Sequence, residues 1–123
     1  MINVAIMGHG VVGSGTAEIL INHPERAEKA AHTAVNVKYI LDLRDFPELS
    51  YSDKFVKDFN IILNDDSVKV VFIQRSKGYL DRRTLSVAEI NDIIDRVRAH
   101  SDAFVVVDNC YGEFTEKTEP HAD

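Results

Sequence analysis

Tryptophan is absent from the 123-residue chain, cysteine occurs once and proline three times. A lone Cys110 closes no internal disulfide, and no Cys/His set has zinc spacing, so neither staple nor metal is expected and a reducing, cytoplasmic compartment is. Basic excess is missing as well: 14 Lys and Arg stand against 20 Asp and Glu, a formal charge of −6. Nucleic acid and anionic lipid reward clustered cations. The short groups Arg75-Ser-Lys77 and Arg82-Arg83 are too small to attract either partner. The longest apolar runs, Val68 to Ile73 and Phe104 to Val107, fall far short of the ~20 residues of a membrane helix. Met1-Ile-Asn-Val-Ala-Ile6 has no basic n-region and no small-residue cleavage site, so no signal peptide is read there. At 45% hydrophobic residues, a chain of this length supports one core without cross-links and leaves no room for a second full domain.

What is present is an alternation of β-branched apolar runs with stretches of helical periodicity. That alternation marks a parallel sheet with helices on both faces, so the fold class is α/β, a single three-layer domain over 1–123. The strands are read as Ile2 to Met7, Val35 to Leu41, a brief Lys54 to Val56, Val68 to Ile73 and Ala103 to Val107. A helix follows the first strand with Val12, Thr16, Ile19 and Leu20 on one face. It stops near Asn22-His-Pro24, because proline excludes αR from the residue before it. Pro24 suits the first position of a second helix reaching Ala31, and Asp58 to Asn64 reads as helical turns with Phe59, Ile62 and Leu63 inward. Ser86 and Glu89 form a capping box ahead of a helix whose Val87, Ile90, Ile93, Ile94 and Val97 share a face. The 115–123 tail is polar and expected to be mobile. Right-handed crossovers give a five-stranded, mainly parallel sheet of order 3-2-1-4-5, a Rossmann-like topology.

The chemistry-bearing motif is Gly8-His-Gly10-Val-Val-Gly13, directly after a strand and opening a helix, the context a dinucleotide fingerprint requires. Gly8 permits the tight turn, Gly10 lets backbone approach a pyrophosphate, and Gly13 allows the helix to lie close to the strand. The N–H groups around Val11 and Val12 face the anion. Asp42, at the end of the second strand, is placed to accept hydrogen bonds from a ribose. It lies further past Gly13 than the usual ~20 residues, an excess attributed to an insertion over 24–34. Arg44 is placed instead to pair with a 2′-phosphate, so NAD and NADP both remain open. The bland alternative is that the glycines only shape a sharp turn.

Two family resemblances follow from longer strings. Residues 1 to about 70, with Val-Ala-Ile-Met-Gly-His-Gly-Val-Val-Gly-Ser-Gly-Thr-Ala-Glu-Ile-Leu20, Val37-Lys-Tyr-Ile-Leu-Asp-Leu-Arg44 and Ile62-Leu-Asn-Asp65, resemble the start of homoserine dehydrogenase. The second glycine loop and the catalytic domain that the resemblance implies have no counterpart here. From about Val70 the chain is similar to pyridoxal-phosphate enzymes of cysteine and methionine metabolism, the aluminium resistance group. Val71-Phe-Ile-Gln-Arg-Ser-Lys-Gly-Tyr79, Leu85-Ser-Val-Ala-Glu-Ile90 and Val106-Val-Asp-Asn-Cys-Tyr-Gly-Glu-Phe114 carry it. The resemblance implies that Asp108 pairs with the pyridinium nitrogen. The Schiff-base lysine segment and the phosphate loop are not matched, and Lys77 and Lys117 sit in no corresponding context.

The two resemblances meet within 68–73, inside a core strand, whereas natural fusions join domains through exposed linkers. The expectation is therefore an engineered chimera with no native catalytic function and no required cofactor. Its alternative is a module that weakly binds NAD or NADP through Gly8, Gly10, Val11, Val12, Gly13, Asp42 and Arg44. Sheet edges left open favour self-association as a homodimer. His9 is expected to face solvent, and His23, His32, His100 and His121 to be solvated at helix ends or in the tail. Cys110 has no neighbouring base, Asp108 and Glu113 form a carboxylate pair only on paper, and Asp65-Asp66 reads as a turn. Arg75, Arg82 and Arg83 read as a solvated loop, with an anion site as the sharper alternative.

Overall fold

Strand and helix alternate because each apolar run must bury two faces that only flanking helices can cover. The computed structural model describes residues 1–74 and 85–108. In chain order these form β1 (Ile2–Met7), α1 (Val11–Asn22), α2 (Pro24–Ala31), β2 (Val35–Leu41), a 3₁₀ turn (Ser52–Lys54), β3 (Phe55–Val56), α3 (Phe59–Leu63), β4 (Val68–Gln74), α4 (Val87–His100) and β5 (Phe104–Asp108). All pairings are parallel, in the order β3-β2-β1-β4-β5. The expected α/β Rossmann-like architecture is the observed one, with boundaries shifted by a residue at β3, β4 and β5.

Side chains of β1 divide the core by period two. Val4 and Ile6 join Ala17, Val37 and Ile40 on the α1 face, while Ala5 joins Ile62, Leu63, Val71, Ile73 and Val97 on the face covered by α3 and α4. Val37 and Ile40 share a face although three residues apart, because β2 carries one extra residue opposite Val4 and Ala5, namely Lys38. β4 has the same irregularity at Lys69, opposite Asn3 and Val4. Without these bulges a one-residue offset would turn half of each strand inside out.

The helices are positioned by their ends. Asp58 caps α3 by accepting from the Asn60 N–H at 2.9 Å. Ser86 and Glu89 close the expected capping box on α4, at 3.1 Å and 2.8 Å. α1 departs from expectation in its buried stripe: Gly13 and Ala17 face the sheet, and Ile19 is 52% exposed. Small residues win that face because they let the helix axis approach the strands more closely than an Ile19 contact would. Among the described residues no helix is long and apolar enough to cross a membrane.

Candidate functional site

The carboxyl end of the sheet gathers the glycine turn and the end of β2. Gly8 adopts φ 102°, which L side chains rarely tolerate, and its N–H donates to the Leu41 carbonyl at 2.8 Å. Gly13 packs so closely that an added Cβ would fall within forbidden contact of the Gly8 carbonyl oxygen. Gly10 is the N-cap of α1, with no side-chain cap and no acidic residue in the first turn. The first N–H groups of α1, including those of Val11 and Val12, therefore open toward the turn with the helix dipole behind them.

Asp42 sits beside this turn and is already fully engaged. Its carboxylate accepts from the His9 N–H at 2.9 Å, the Arg44 N–H at 2.9 Å, and the Arg44 guanidinium at 3.0 Å and 3.1 Å. Burial pushes the Asp42 carboxyl up, but the Arg44 and His9 hydrogen bonds outweigh it and hold it below its ordinary value. Arg44 in turn donates to the His9 carbonyl at 3.3 Å and lies over the Phe46 ring. Four donors fill the four lone-pair sites of a carboxylate. A ribose hydroxyl pair can reach Asp42 only if the half-exposed Arg44 side chain swings away.

His9 overturns its expected solvent-facing placement: it is 8% exposed. Phe46, Tyr51 and Phe55 close on its ring at centroid distances of 4.7, 5.8 and 5.0 Å. The glycine turn needs the small neighbours, and the 43–55 segment folds back over the one large side chain between them. The spacing of Phe46, Tyr51 and Phe55 after β2 was the available signal for this cage. A cavity of about 490 Å³ adjoins it, lined by Phe46, Pro47 and Phe55, with the Asp45–Lys57 ion pair at 2.9 Å on its wall.

Asp65 sits in the turn expected from sequence, its carbonyl accepting from the Val68 N–H at 3.1 Å, and it is a hub as well. It accepts from Lys38 Nζ at 2.6 Å, from Tyr39 Oη at 2.7 Å, and from the Ser67 hydroxyl and N–H at 2.6 Å and 2.9 Å. The other candidates are not brought to the site. His23 and His100 lie at helix ends, His32 ends α2 in the left-handed region, and among the described residues no group of three or more His, Cys, Asp or Glu is placed for a metal. Arg75, Lys77, Arg82, Arg83, Cys110, Glu113, Lys117 and His121 lie outside the described residues. Asp108 ends β5 in register with Gln74.

A parallel sheet with a glycine turn at its carboxyl end defines a Rossmann-like α/β protein. Structures of Staphylococcus aureus homoserine dehydrogenase superpose on it with a TM-score of 0.59 over 86% of this chain and 25% of theirs, at 22% identity, which establishes the shared fold alone. The sequence model of the methionine gamma-lyase family matches residues 17–122, and the chain belongs to that family. A Clostridium acetobutylicum protein assigned to the cystathionine beta-lyases involved in aluminum resistance is 33% identical over 96% of this chain and 27% of its own, TM-score 0.59. The uncharacterized protein YnbB of Bacillus subtilis is 49% identical over 53 residues, 42% of this chain. An uncharacterized 33.9 kDa protein of Lactobacillus delbrueckii is 45% identical over 60 residues. The chain spans 13% and 20% of these two curated relatives.

These matches correct the expectation of an engineered chimera. One natural family accounts for 17–122, across 68–73 where a join was inferred, so the mixed sequence signals belong to a family member. The inference failed because two βαβ folds share strand patterns, and short strings assign a buried strand to either equally well.

Proposed function

We propose that the described residues form a binding module for the adenosine and phosphate half of NAD or NADP, and that the chain alone performs neither dehydrogenation nor lyase chemistry. The observation that carries this is the Asp42 carboxylate held 2.9 Å from the His9 N–H of the glycine turn, beside the uncapped start of α1. Phosphate at those N–H groups and ribose at Asp42 are the two halves of one recognition geometry. Gly8, Gly10, Val11, Val12 and Gly13 supply backbone. Asp42 and Arg44 supply side chains.

Asp42 and Arg44 together set the preference within this reading. A 2′-phosphate gives the guanidinium a bidentate partner but sets a second anion beside the Asp42 carboxylate, whereas the free 2′-hydroxyl of NAD suits that carboxylate, so NAD and NADP are compared directly by calorimetric titration of the folded chain. Millimolar or tighter binding that vanishes in Gly10→Val supports the module. Absence of binding by cooperatively folded protein, or affinity unchanged by the substitution, refutes it.

The family suggests a second reading, a portion of a pyridoxal-phosphate lyase with Asp108 at the pyridinium nitrogen. The described residues include Asp108, at the end of β5 beside Gln74, and no lysine or phosphate loop matched to such a site. Lys38 and Lys69 are engaged with Asp65 and Asp102, and Lys57 with Asp45 beyond the opposite edge of the sheet. With no matched lysine to hold it, adding pyridoxal phosphate to the chain is expected to give no new absorbance band.

A further inference from the structure

His9 ties the glycine turn to the 43–55 segment in three ways. Its N–H donates to Asp42, its carbonyl accepts from Arg44, and its ring fills the cage of Phe46, Tyr51 and Phe55. The ring has little polar company: Nε2 lies 3.5 Å from the Tyr51 hydroxyl, and Nδ1 is buried without a hydrogen-bond partner. A neutral imidazole accepts that environment at modest cost, because one nitrogen is an unprotonated lone pair. A protonated imidazole does not, because both nitrogens then carry N–H groups and a charge is buried with one donor unsatisfied.

We propose that His9 is an acid-sensitive latch: its protonation expels the ring from the aromatic cage, releases the 43–55 segment and frees the glycine turn from the Asp42 hydrogen bond that places it. The consequence for ligand rests on the nucleotide reading above, and it is loss of dinucleotide affinity as pH falls.

The charged surroundings act in both directions. Asp42 and Arg44 face the ring from the end of β2, Glu18 from α1, and Glu48 and the Tyr51 hydroxyl from the overlying segment. Burial lowers the His9 pKa and outweighs Asp42, with Glu18 and Glu48 also raising it and Arg44 lowering it further. The folded value thus lies below the unfolded one of about 6.5. The latch is fully closed above that pH, and it loosens as pH falls from there through the folded value. Each unit between the two values allows up to about a tenfold gain in the open population.

The test follows the His9 Cε1 proton resonance from about pH 7.5 to pH 5, with amide exchange protection of His9 and Arg44 corrected for intrinsic rates. The latch predicts a His9 midpoint below the ordinary value of about 6.5, and protection lost over the same range. In His9→Phe, which keeps an apolar ring in the cage, protection should stay level. A His9 midpoint at the ordinary value, or protection that ignores its titration, overturns the proposal in the wild-type protein alone, whatever the variant does. NADP titrations at both ends of the range separate the two readings. Absence of binding throughout defeats the nucleotide module while exchange still decides the latch, and equal affinity at both ends defeats the link between them.

Discussion

Gly13 and Gly15 occupy the same helix two residues apart, yet a methyl group at each meets opposite surroundings. At Gly13 it is driven into the Gly8 carbonyl, and backbone cannot step aside as a flexible side chain would. At Gly15 nothing lies within 4 Å. Gly13→Ala is therefore expected to cost about 3 kcal/mol, the upper end for overpacking, and to lower the urea midpoint by about 1–2 M. Gly15→Ala should stabilise by about 0.5–1 kcal/mol through helix propensity. A pair of urea melts with the same sign of shift would show that close approach of α1 to β1 is not what Gly13 provides. The role of Gly13 was legible from the motif. The burial of His9 between two of the motif's glycines was not, because nothing local says which loop will fold back over a turn.

Among the described residues, β5 is a sheet edge without the usual devices that protect one. Phe104 is 78% exposed and Val106 46% exposed on its α1 side, while Val105 and Val107 pack toward α4. The 103–107 run carries no charge and no proline to discourage strand addition. An antiparallel copy centred on Val105 would set Phe104 against Val106 of the second molecule in both directions, an apolar pair of the kind that stabilises sheets. Concentration-dependent sedimentation is the expected behaviour, and Phe104→Lys should restore the monomer. A wild-type monomer at high concentration refutes the pairing. Apolar runs made the strands readable, and the box at Ser86 and Glu89 made α4 readable. The bulges at Lys38 and Lys69 were not, since a parallel-strand bulge is defined by the neighbour's register and leaves no mark in the strand's own composition.

At the scale of the molecule, the two ends of the sheet divide the work. The carboxyl end holds the glycine turn, while the loop before β4 reaches across to β2 through Asp65, using the Lys38 bulge to present Lys38 and Tyr39 together. The hydrogen bond from Lys38, reinforced by Ser67 and Tyr39, holds the Asp65 carboxyl well below the usual carboxylate range. A carboxyl with a depressed folded pKa contributes stability that is complete above its unfolded value of about 3.9 and is lost as pH falls below it. Acid should therefore act in two stages, with the His9 latch loosening first, below about pH 6.5, and the Asp65 hub failing below about pH 4. Asp65→Asn should cost about 1–2 kcal/mol at neutral pH, as for hydrogen bonds to a charged acceptor discounted for partial exposure. Urea melts of both proteins across the acid range check the assignment. Their stabilities should converge as the wild-type carboxyl protonates, and a gap that stays constant with pH would mean that the carboxylate charge is not what joins β2 to β4.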